Sequence, residues 1–253
     1  MRSPLLPNPA RNGPSGTLAG FTLLEVLLGI GILAVLVAIL LPVVGSTSRR
    51  AQSITCMTNL KTLWSAQRSY QSDHADSFIP YYDGSTWTWT AALMNQGYLS
   101  QRTSAFFCPA FAKTTDLDTP EKVATRSGGS GGAGRRGTYS HYGYNQNHIG
   151  GSARYGGDAT LPARGSQITQ PSRTILFIDT IYTPGAAVPR GTFIVGDRPA
   201  ASHMPDPRHQ GRFQMIFVDG HVEAIQPADP AQIFAPYPAG LGYTTQDGSL
   251  WKR

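Results

Sequence analysis

The stretch GFTLLEVLLGIGILAVLVAILLPVV, residues 20–44, limits what this chain can be more than any other part of it. From Phe21 to Val44 every residue except Glu25 is apolar, small or, at Thr22, weakly polar. At 1.5 Å per residue these 24 residues are long enough to cross a hydrocarbon core of about 30 Å. A cleaved secretory signal has a shorter core, roughly 7–15 residues, ending at a small-residue cleavage site. No such site follows this run. It therefore reads as a transmembrane helix with the lipid bilayer as its partner.

Glu25 is the exception that needs an explanation. Ionisable groups inside membrane helices are costly and face a partner by default. No basic residue lies between Phe21 and Val44. A positive charge can nevertheless be made there. Cleavage after Gly20 would expose an α-amino group on Phe21, one helical turn before Glu25, and in an assembly the amine of one subunit could pair with Glu25 of its neighbour. Residues 1–20 carry Arg2, Arg11, four prolines and no acid, a short basic leader. That leader favours a cytoplasmic N-terminus, whereas Arg49 and Arg50 on the far side of the run oppose it.

The run Gly20-Phe21-Thr22-Leu23-Leu24-Glu25, behind a basic leader and before about twenty apolar residues, resembles the processing motif of type IV pilins and type II secretion pseudopilins. The resemblance implies that a prepilin peptidase cuts after Gly20 and methylates Phe21. It implies that Glu25 guides addition of the subunit to a filament. Pro42 matches the helix-kinking proline common in these proteins, since proline removes a backbone hydrogen bond. The partners implied are the peptidase, other pilin or pseudopilin subunits and an inner-membrane assembly platform. The location implied is the inner (cytoplasmic) membrane, with a cytoplasmic N-terminus and an extracytoplasmic head. The chain itself is expected not to be an enzyme.

Beyond the span the composition turns polar, and Cys56, Leu60, Leu63, Gln67 and Tyr70 recur at spacings of three to four. This apolar stripe predicts an amphipathic continuation of the helix over 45–72. Residues 73–253 are expected to form the globular head. The fold class is α+β and pilin-like: one long N-terminal helix packed on an antiparallel sheet. Cys56-Met57-Thr58-Asn59-Leu60-Lys61, the Phe-x-Cys-Pro element Phe106-Phe107-Cys108-Pro109 and the run SHYGYN (140–145) are similar to elements of a subgroup of prepilin-like proteins abundant in planctomycetes and verrucomicrobia. That subgroup carries a C-terminal H-x9-D-G element, matched here by His209, Asp219 and Gly220.

Within the head, the aromatic residues between Phe78 and Phe107 read as core, and STWTWTAAL as a short strand or helix edge. Thr174 to Ile178, ending at Asp179, reads as a β-branched strand. The runs either side of Asp219-Gly220 alternate, which predicts a hairpin closed by a two-residue type I′ turn. Residues 126–137 read as a flexible glycine-rich loop. Its G-x-G-x-x-G and G-x-S-x-G matches are discounted, because neither follows a strand nor opens a helix. Net charge is +6, but the basic residues are scattered without a stripe of interleaved aromatics, so no nucleic-acid partner is expected.

Two readings of His209 stay open. In one, Asp219-Gly220 shapes a turn while His209 hydrogen-bonds a backbone group or Asp219. In the other, His209, Asp219, His221 and Asp179 hold a divalent metal, the one cofactor considered. A D-x-D-x-D-G calcium loop is not visible. With an extracytoplasmic head, Cys56 and Cys108 are either a disulfide worth about 2–4 kcal/mol or two buried thiols. The rival function is a membrane-anchored metal- or glycan-binding protein that uses the same export signal without forming filaments.

Overall fold

The structure is a computed structural model that describes residues 20–83, 87–111, 139–151, 161–182, 190–195 and 203–226. The leader up to residue 19 and the glycine-rich loop near 126–137 lie outside these residues. The chain divides into two units, Met1–Thr47 and Ser48–Arg253, and helix α1 (Leu23–Asp73) contributes to both.

In the first unit the large apolar side chains from Phe21 to Leu41, and that of Val44, are 51% to 87% exposed. This part of α1 is long and apolar enough to span a membrane. Pro42 falls inside α1.

In the second unit the rest of α1 supplies one wall of the core. Cys56, Leu60, Leu63, Gln67 and Tyr70 are all buried, the stripe that their spacing predicts. The helix ends at Asp73, one residue beyond the expected boundary. Facing it is a six-stranded sheet: β1 (Tyr142–Asn145), β2 (Ile175–Ile181), β3 (Ile194–Val195), β4 (Met204–Pro205), β5 (Phe213–Phe217) and β6 (Val222–Ile225). The order is β3-β1-β2-β5-β6, with β4 paired to β2. The α+β class agrees with expectation.

The sheet is mixed, however, because β1 and β3 pair in parallel while the other pairs are antiparallel. The chain leaves β2 at the end where β1 begins. β3 starts from that end on the far side of β1, and so runs in its direction. Leu176, Phe177, Ile216 and Val218 share the larger core cluster with α1. Ile175, Ile178, Phe213, Met215 and Phe217 form a second cluster. Burial on both faces explains why β2 and β5 are apolar almost throughout.

The tryptophan segment resolves as a helix. Trp89 opens α2 (Trp89–Asn95) and is fully buried. Its ring lies 4.8 Å from Phe177 and 5.7 Å from both Phe106 and Tyr144, spacings suited to offset and edge contacts. Phe78, Tyr81, Tyr82, Trp89 and Phe106 do serve as core, Tyr98 and Phe107 pack against it half-buried, and Trp87 is half-buried outside it.

The β5–β6 turn corrects the expected type. Phe217 and His221 are joined by an N–H···O bond of 3.0 Å, and the Gly220 N–H donates to Phe217 O at 3.0 Å. Gly220 has φ +91°, and Asp219 is not among the residues with positive φ. The loop is thus three residues long, a turn with a single left-handed glycine, where one αL position suffices. The type I′ signature appears instead at the other end of β5. There His209 and Arg212 exchange N–H···O bonds around Gln210 (φ 56°) and Gly211 (φ 79°).

Candidate functional site

Two places draw the sequence-predicted residues together. The first is the start of α1. Gly20 and Phe21 are exposed, Phe21 to 87%. The Thr22 N–H and hydroxyl both donate to Glu25 Oε2, at 2.8 and 2.9 Å, and the Glu25 N–H returns a 3.3 Å bond to Thr22 Oγ1. This is a capping box, in which a threonine and a glutamate three residues on satisfy each other's backbone donors. The T-x-x-E spacing was legible in the sequence but overlooked there. It gives Glu25 a partner in the uncleaved chain.

The second place is the ground between α1 and β5. Cys56 and Cys108 are bonded, with a Cα–Cα distance of 5.2 Å that fits a disulfide. His209 Nε2 lies 3.2 Å from Cys108 Sγ and 3.5 Å from Asp179 Oδ2. The Gln214 N–H donates to the same Asp179 oxygen at 2.9 Å, and the Gln214 amide donates to Ser53 O at 3.1 Å. Asn59 donates to Phe107 O at 2.9 Å and to the Tyr142 hydroxyl at 3.3 Å. At the far end of β5 the Trp64 indole donates to Val218 O at 2.9 Å. A β-carbon on Gly220 would sit 2.7 Å from the Trp64 ring. The motifs CMTNLK, FFCP, SHYGYN and H-x9-D-G therefore each place a residue in one seam.

The electrostatics of the seam favour neutral groups. Burial pushes the Asp179 carboxyl up to about 7, against the opposing pull of Arg208 and the Gln214 N–H. Burial, reinforced by Arg208, pushes the His209 imidazole down to about 4. Arg208 Nε lies 2.9 Å from Asp206 Oδ2, though its N–H is not aimed along that line.

The four metal candidates do not converge. Asp179 and His209 meet, but Asp219 and His221 form their own pair at 2.6 Å across the β5–β6 turn. Roughly 13 Å of β5 separates the two pairs. Cys56, Cys108 and His209 bring three side-chain atoms that can ligate a metal within 4.8 Å of one another. In the disulfide, however, both sulfurs have lost the thiolate character that ligation needs. The donor set fits a structural clamp better than a metal.

No protein-family model, curated protein or solved structure matches this chain.

Proposed function

We propose that the protein is a pseudopilin- or pilin-like structural subunit, cut and methylated at Gly20-Phe21 and assembled through α1 into a filament. The observation that carries this reading is the exposed Gly20-Phe21 bond ahead of a capped Glu25 and an exposed apolar helix. Before cleavage Thr22 satisfies the carboxylate. Cleavage supplies a second candidate partner, the Phe21 amine of a neighbouring subunit. Transfer of Glu25 to that amine fixes register, because an unpaired carboxylate among packed apolar helices is strongly disfavoured. The side chains from Val26 to Val44 that face solvent in the single chain are then covered by other α1 helices. Residues 45–253 form the extracytoplasmic part, a secretion pseudopilus or type IV pilus-like surface, reached through the inner-membrane platform.

Two substitutions separate pairing from capping. Glu25→Ala is expected to be cleaved normally yet to assemble poorly. Thr22→Ala removes the hydroxyl of the capping box but keeps the carboxylate, and is expected to assemble. Filament yield by shearing and immunoblot reads both. Equal loss in the two variants would reduce Glu25 to a helix cap, and normal assembly of Glu25→Ala would sink the role altogether.

A further inference from the structure

A groove of about 740 Å³ opens beside His209, between the α1 segment from Arg49 to Ile54 and the turn from Arg208 to Arg212. Arg49, Arg50, Arg208 and Arg212 line it, and among the described residues no acidic one does. Among the described residues, Arg49, Arg50 and Arg212 have no carboxylate within ion-pair distance, while Arg208 has Asp206 beside it.

Arg208 makes this more than a patch of surface charge. Its side chain is 5% exposed, sits 4.6 Å over the Phe111 ring and donates to Thr180 O. Its Nη1 is buried with no acceptor among the described residues. A buried donor left without an acceptor costs its full desolvation, and an oxyanion would supply what is missing. The planar guanidinium suits phosphate oxygens in particular.

The groove is also tethered close to lipid. Arg49 follows Val44, the last residue of the apolar run, by five positions. That segment reaches no further than about 18 Å even when fully extended. Basic residues just outside a span attract anionic headgroups. We propose that the groove binds the phosphate of an anionic membrane lipid in the leaflet that α1 leaves. The proposal rests on the transmembrane reading of residues 21–44 and is independent of filament formation.

The test uses the full-length chain in an uncharged maltoside detergent, with phosphatidylglycerol and phosphatidylcholine added together and retained lipid read by native mass spectrometry. Phosphatidylglycerol is expected to be retained in preference. Arg49→Gln, Arg50→Gln and Arg212→Gln, all at exposed positions, should each weaken retention about fivefold, and the triple variant about a hundredfold. Equal retention of the two lipids, or an unchanged triple variant, overturns the proposal. Displacement by equimolar inorganic phosphate would reassign the groove to a free anion and overturn the lipid as its source. Carbonate extraction of whole membranes tests the premise separately. Release of the chain would sink both readings, whereas a retained chain without lipid selectivity would sink the groove alone.

Discussion

Asp179 and His209 face each other inside the seam, and burial drives both toward their neutral forms with opposite consequences for stability. The Asp179 carboxyl moves from 3.8 to about 7, so between those values the folded chain holds a proton that the unfolded chain has lost. Its contribution is fully present below pH 3.8 and disappears as pH rises toward 7. The His209 imidazole moves from 6.5 to about 4, so there the unfolded chain holds the extra proton. Its contribution grows as pH rises from about 4 to 6.5. Across pH 4–6.5 the two slopes cancel. Asp179→Asn is therefore expected to leave stability rising with pH in that window, and His209→Gln to leave it falling. Urea denaturation of each variant at pH 4.5 and 6.5 reads the sign, and parallel slopes in the two variants would contradict the pairing.

At the scale of elements, α1 is fastened to β5 and the turn after it by Ser53 to Gln214 and Trp64 to Val218, while the disulfide ties α1 to Cys108, whose sulfur touches His209. The nine residues between His209 and Asp219 are Gln210, Gly211 and Arg212, the five of β5, and Val218, so His209 lies before β5 and Gly220 after it. Gly220→Ala is expected to cost about 2–4 kcal/mol, combining a left-handed backbone with a clash against Trp64. Gly211→Ala has a similar φ of +79° but open space around it, and should cost only about 1–2 kcal/mol. Equal losses on urea denaturation would remove Trp64 from the account. Much of this was readable in advance. The helical stripe from Cys56 to Tyr70, the strand ending near Asp179 and the β5–β6 hairpin all follow from periodicity. The turn type did not, because Asp-Gly serves a three-residue loop as well as a two-residue one, and only the pairing of Phe217 with His221 decides between them. Nor did the parallel β1–β3 pair, since β3 is two residues long and its place depends on where β2 ends.

For the whole molecule, the sequence shows an apolar run long enough to span a membrane more plainly than the described part of the head shows any ligand site. Glu25 has no basic residue near it in the sequence, and its partner in the structure is the hydroxyl and N–H of Thr22. The metal reading depended on four residues lying together, and β5 holds two of them apart from the other two. α1 joins the two ends of the chain: its first part is a capped, exposed apolar helix, and its second part carries the disulfide and the seam. The most direct test of the central claim is intact-mass and N-terminal analysis of the protein recovered from its native membrane. The account predicts a chain beginning at Phe21 and carrying one N-terminal methyl group. A chain that retains Met1, or one cut after Val44, would contradict it.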